Sequence, residues 1–124
     1  MASIADYQVL FDGRFTLGGN VTIKTLKFSM PSNFVFGTNK AKPIIAFKIT
    51  PMEDIQLRIK VNGQEVMGTT NFKESPTRGH WTIFAAATAF PEGDSFPSEI
   101  DVSFHCNTGT VHIDDVVIWY QVDQ

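Results

Sequence analysis

The residues of this chain whose types suit chemistry are its three histidines, its single cysteine and a few acidic pairs. His80, His105 and His112 show no helical i, i+4 spacing and no HExxH pattern, so they do not read as a zinc set. Asp101, Ser103 and His105 supply the residue types of a hydrolytic triad. On a strand, however, they stand side by side on one face with neighbours about 6–7 Å apart, too far for a nucleophile–base hydrogen bond. They read instead as a polar row facing solvent, and no GxSxG elbow accompanies them. Glu53-Asp54, Glu92 with Asp94, and Asp114-Asp115 are too close in sequence to face each other across a glycosidic bond. Asp114 and Asp115 are nonetheless candidate ligands for a structural Ca²⁺, as hard oxygens helped by backbone carbonyls. The plainer alternative has Asp114 capping a turn and Asp115 facing water. Gly13, Gly18 and Gly19 match no phosphate-binding pattern and read as turns.

Binding without catalysis points to rings in wet positions. Trp81 follows the loop Thr77-Arg78-Gly79-His80. Trp119 shares its strand phase with Asp115, Val117 and Gln121, whereas Tyr120 shares the apolar phase of Val116 and Ile118. Trp119 is therefore the expected exposed ring. An aromatic face suits the axial C–H groups of a sugar, and polar side chains suit its hydroxyls. Trp119, Trp81, His80 and Arg78 are the candidate ligand-binding residues. Cys106 falls in phase with Ile100, Val102 and Phe104, so it reads as a small buried hydrophobe.

Composition narrows the partners. The 124 residues suit one domain, 1–124, long enough for a core without disulfides. The net charge of −3 argues against nucleic acid, because phosphate binding needs a basic surface. Phe, with 11 copies against 2 Trp and 2 Tyr, has no polar handle, so most rings should pack the core. No run of about eighteen apolar residues exists to insert in a membrane. Met1 to Tyr7 has neither a basic nor an apolar region of a signal peptide, so the expected location is the cytoplasm, or outside by a non-classical route.

The elements that position these residues are strands. Ile55, Leu57, Ile59 and Val61 alternate with polar residues and run into Asn62-Gly63, a tight hairpin signal, with a return over 65–67. Ile100, Val102, Phe104 and Cys106 form a second two-faced strand. Residues 7–11 and 14–17 flank Asp12-Gly13, which reads as another tight turn. Val21 and Ile23, then Leu26 and Phe28, suggest a bulge near Thr25. Residues 43–49 are apolar on both faces, as in the middle of a packed layer. Residues 81–90 read as a strand, because Thr82, Ile83 and Phe84 are β-formers and no helix cap precedes them, with a short helix through Ala85, Ala86 and Ala87 as the alternative. The last strand, 110–122, changes phase at Asp114-Asp115, where a bulge or a crossover between sheets is expected. About eight or nine short strands separated by turn signals indicate an antiparallel β-sandwich.

The run Gly109-Thr110-Val111-His112-Ile113-Asp114-Asp115-Val116-Val117 resembles the closing strand of jelly-roll carbohydrate-binding modules, which often ends G-x-h-x-h-D-D-V with h apolar. Phe11-Asp12-Gly13 and Val61-Asn62-Gly63 are compatible with such a domain. The resemblance implies a jelly-roll fold, a glycan partner and, at Asp114 or Asp115, a structural calcium. Such modules usually show two or three exposed Trp or Tyr, whereas this chain is rich in Phe. The expectation is a lectin-like, non-catalytic module that gains strength from several copies, as in a homo-oligomer. An assembly protein of a phage, virion or larger particle is the alternative, and a small-molecule enzyme on the same scaffold the third.

Overall fold

The computed structural model describes residues 3–35, 43–85 and 98–123. Eight strands follow one another: β1 (Ser3–Leu17), β2 (Ile23–Ser29), β3 (Ile44–Pro51), β4 (Ile55–Val61), β5 (Gln64–Phe72), β6 (His80–Ala85), β7 (Glu99–Thr108) and β8 (Val111–Asp123). No helix occurs among the described residues. The strands form two four-stranded sheets, in the orders β1-β8-β3-β6 and β2-β7-β4-β5. Every pairing is antiparallel. This double-sheet order, with first and last strands adjacent, is the jelly roll.

Alternation places the core between the sheets. Ile55, Leu57, Ile59 and Val61 of β4, and Ile100, Val102, Phe104 and Cys106 of β7, are all buried. They meet Ile45, Phe47 and Ile49 of β3 and Val111, Ile113, Val116 and Ile118 of β8. Rings lock the two layers together. Phe104 meets Phe15 and Phe47 edge-on, with centroids 5.7 and 5.2 Å away, and Phe28 meets Tyr120 at 5.3 Å. Phe15, Phe28, Phe34, Phe47 and Phe104 are buried, as a side chain without a polar end should be. Cys106 is fully buried too, and burial pushes its thiol up from the ordinary range.

The hairpin at Asn62-Gly63 is present, with positive φ at both residues (52° and 80°). Two expectations are corrected. Residues 7–17 contain no hairpin, because both halves of β1 pair with the same strand, β8. Asp12-Gly13 is instead an irregularity within one strand, with Gly13 at φ 102°. Nor is there a bulge near Thr25, since β2 pairs with β7 in unbroken register. Val21 and Ile23 simply point outward and are exposed. The return strand expected over 65–67 is longer, because β5 extends to Phe72. Residues 37–42, 86–90 and 91–97 lie outside the described set.

The phase change in β8 is where the sequence puts it. Asp115 has φ 54°, and the register of β8 against β3 slips between Ala46 and Lys48. The Gly13 N–H donates to Asp115 Oδ1 at 3.0 Å, tying the β8 bulge to the β1 irregularity. Asp115→Ala should lose this acceptor and place a Cβ residue without local polar help in the left-handed region. We expect a loss of about 1–3 kcal/mol in urea unfolding, with Asp115→Asn close to wild type. Phe104→Ala is expected to cost about 3–5 kcal/mol by the same measurement.

Candidate functional site

The bulge decides what the β1-β8-β3-β6 sheet shows to water. Past it, Val116, Ile118 and Tyr120 point inward, so Val117 and Trp119 point outward. Directly opposed residues of antiparallel strands share a face, so the outer surface can be read across the sheet in rows. One row is Tyr7, Trp119 and Ile44; the next is Val9, Val117 and Ala46. Beyond the bulge comes Arg14, Asp114, Lys48 and Trp81, and then Thr16, His112 and Thr50. Half of the face is therefore apolar and half polar.

The rings stand free. Tyr7, Trp81 and Trp119 are 55%, 56% and 46% exposed, unusual for aromatics of a folded domain. The Tyr7 and Trp119 rings pack with centroids 5.1 Å apart and planes 39° apart, making one continuous aromatic platform. Val9 and Ile44 extend its apolar surface and are exposed as well. Trp81 lies two strands over and about four residues along, roughly 16 Å from Trp119 by strand geometry.

Polar groups border this platform. Arg14 forks onto Asp114, with Nε to Oδ1 at 2.9 Å and a second nitrogen to Oδ2 at 3.1 Å. This bond holds the Asp114 carboxyl below the usual carboxylate range, and Lys48 and His112 add to the effect. Thr16 Oγ1 lies 2.8 Å from His112 Nδ1 in the last row. Charged and hydroxyl groups thus stand next to the rings on one surface.

The structure unites only some of the candidate residues. Trp119 and Trp81 share this face. His80 does not: it stands opposite the buried Ile49 and its ring lies 6.1 Å from Phe72, on the other side of β6. Arg78 is exposed in the preceding turn, where its carbonyl accepts from Ser75 Oγ at 2.7 Å. Asp114 and Asp115 do not converge, because one binds Arg14 with both oxygens and the other holds the Gly13 N–H. Among the described residues, no three His, Cys, Asp or Glu gather as a metal would require. Tyr7 was not among the sequence candidates. Its signal was the alternation of Tyr7 and Val9 with Gln8 in the first strand.

The polar row on β7 also departs from expectation. Ser103 Oγ lies 2.8 Å from His105 Nε2, so the two side chains do meet. The Cβ spacing along a strand is long, but an imidazole is long enough to lean back across it. No triad follows, because Asp101 is paired with Lys27 instead.

No protein-family model matches the chain, and no curated protein matches it in sequence. Among solved structures, 96% of the chain is similar to 97% of the xylan-binding module CBM15, with a TM-score of 0.54 and 10% identity. A cycloisomaltooligosaccharide glucanotransferase of Paenibacillus sp., complexed with cycloisomaltoheptaose, matches 91% of the chain over 18% of its own length, with a TM-score of 0.51 and 10% identity. The insecticidal delta-endotoxin Cry8Ea1 of Bacillus thuringiensis matches 98% of the chain over 20% of its length, at 0.50 and 12%. The chain spans about a fifth of each of these two proteins and nearly all of the xylan-binding module. At such identities the likeness is one of fold. The resemblance of the last strand to jelly-roll carbohydrate-binding modules extends to the whole architecture.

The Arg14–Asp114 pair has a testable pH signature. The folded pKa of Asp114 is depressed, so its contribution is complete above about 3.9 and is lost as pH falls through the folded value. Asp114→Asn should cost about 0.5–1 kcal/mol at pH 7, modest because Arg14 is half exposed. The difference from wild type should narrow in chemical unfolding as the pH falls below the ordinary carboxylate range and through the folded value of Asp114.

Proposed function

We propose that this protein is a non-catalytic carbohydrate-binding module that holds an extended saccharide chain on the outer face of the β1-β8-β3-β6 sheet. The observation that carries this reading is the exposed Tyr7–Trp119 pair bordered by Arg14, Asp114 and Lys48. A pyranose offers apolar C–H faces to such rings and hydroxyls to such polar groups. The separation of Trp81 from Trp119 favours a chain of several sugar units over a single one. The fold shared with a xylan-binding module supports the same class of ligand. The surface is open, so each contact is shallow, and strong attachment would come from several copies of the domain.

His80 and Arg78 would serve such a chain only where it runs past Trp81 to the turn before β6. A structural calcium at Asp114 and Asp115 would require Arg14 to leave its carboxylate, so binding is expected to survive EDTA. A second reading rests on Val9, Ile44 and Val117, whose aliphatic side chains suit a protein partner better than a sugar. In that reading the same face joins copies of the chain, as in an assembly protein, and sedimentation would find a defined oligomer.

A glycan array with the purified protein, run with calcium and again with EDTA, tests the proposal. Hits are expected among neutral plant-type polysaccharide fragments, and Trp119→Ala should weaken them about tenfold, the scale of one aromatic contact. A blank array from folded protein would overturn the proposal in favour of the assembly reading.

A further inference from the structure

The opposite sheet carries a different kind of surface. On the outer face of β2-β7-β4-β5, Gln56 and Arg58 of β4 lie beside His105 and Asn107 of β7, with Thr69 of β5 at the border of a cavity of about 230 Å³. A neighbouring cavity of about 370 Å³ shares Gln56 and adds Asn71, Thr108, Phe72, Asp54 and Lys73. Together they form a groove along β4. Three amides, Gln56, Asn71 and Asn107, give it both donors and acceptors. Apart from the His105 imidazole, Phe72 at one end is its only aromatic lining among the described residues. Affinity here must therefore come from hydrogen bonds and charge, not from ring stacking.

The charge has a sign. At the end of the groove Lys73 and Asp54 stand 3.5 Å apart, and the Glu74 N–H holds the Asp54 carboxylate in its ionised form. That end is balanced. At the other end Arg58 lines the groove and Lys60 follows it along β4, and the two share a single carboxylate, Glu65. Glu65 reaches Arg58 only at 3.9 Å and is nearly half exposed, leaving most of the guanidinium fork open. His105 sits between these cations, opposite Arg58 on β4 and Ile23 on β2. Burial, then Lys60 and Arg58, push its pKa down, against the weaker pull of Glu65. The groups facing it are thus two cations, one carboxylate and the Ser103 hydroxyl, and the local potential is positive in a protein of net charge −3.

We infer that this groove is a second binding site, selective for saccharides that carry carboxylates, such as uronic-acid oligosaccharides. Arg58 receives the carboxylate while Lys60 beyond it adds positive charge, the amides and Thr69 receive hydroxyls, and Ile23 stands exposed beside His105. A polyphosphate chain suits the site less, because its dense charge would meet the acidic remainder of the surface. The inference shares with the proposed function only the assignment of the ligand to saccharides; it uses none of the residues of the aromatic face. It carries a pH dependence of its own. A uronate stays ionised down to about pH 3.5, whereas His105 gains a proton somewhere below 6.5 and becomes a third cation. Binding should therefore tighten as the pH falls.

The test is an NMR titration of the ¹⁵N-labelled full chain with trigalacturonate and, separately, with neutral xylotriose. Trigalacturonate is expected to shift the side-chain amides of Gln56, Asn71 and Asn107, with an affinity that rises about fivefold as the His105 imidazole, followed by its own ring signals, gains its proton on acidification from pH 8. His105→Gln should keep binding but lose that increment. Arg58→Gln should lose about tenfold, and Trp119→Ala should bind trigalacturonate as wild type does. Spectral dispersion verifies that each variant is folded. Equal shifts from xylotriose at these amides, a pH increment that survives in His105→Gln, or no shift on this face would each overturn the inference. Loss of the trigalacturonate shifts in Trp119→Ala would overturn it too, by moving the ligand to the aromatic face. A groove that binds while Tyr7 and Trp119 stay silent to every sugar would instead count against the proposed function alone.

Discussion

Everything on the outer face of the β1-β8-β3-β6 sheet depends on one left-handed residue, Asp115. A strand exposes alternate residues, and β8 must bury Val111 and Ile113 on one count and Val116, Ile118 and Tyr120 on the other. Without an extra residue between them, one group would face water and Trp119 would face the core. The bulge reconciles both, and the Gly13 N–H bonded to the Asp115 carboxylate stabilises it from the neighbouring strand. The register slips on β1 and β3 beside it are the two neighbours adjusting to the same insertion.

From this constraint the surface takes its character. On one side of the bulge the face is apolar, with Tyr7, Val9, Val117 and Trp119; on the other it is polar, with Arg14, Asp114, Thr16 and His112. Asp114 is held in its ionised form by Arg14 and so remains an acceptor at neutral pH. The second sheet has no such division. Its outer face is amide-rich and cationic around His105, with Ile23 as its apolar border. One sandwich thus presents two surfaces of different chemistry, back to back across a core of interlocking Phe rings.

Much of this was legible in the sequence where the signal is local. Alternation marks β4 and β7, Asn62-Gly63 marks the hairpin, and the double aspartate marks the bulge that turns Trp119 outward. What was not legible is what depends on partners distant in sequence. Asp12-Gly13 has the composition of a hairpin turn, and only the continued pairing of both its sides with β8 makes it an irregularity within a strand. Val21 and Ile23 look like core residues, and an exposed aliphatic pair has no sequence mark of its own. Tyr7 gains its meaning from Trp119, more than a hundred residues away, across a strand pair that joins the two ends of the chain. Cβ spacing along the strand separates Ser103 from His105, and only the reach of the imidazole brings the two side chains together.

The most direct measurement is a map of where a neutral oligosaccharide touches the protein, taken from ¹H–¹⁵N spectra that include both tryptophan indole N–H signals. If the outer face of β1-β8-β3-β6 is the binding surface, xylohexaose or the best neutral fragment found should shift the Trp119 indole and the Tyr7 and Ile44 amides saturably. The Trp81 indole should follow only for the longer chains. Shifts confined to the β2-β7-β4-β5 face, or none with any neutral saccharide while the protein remains folded, would contradict the account.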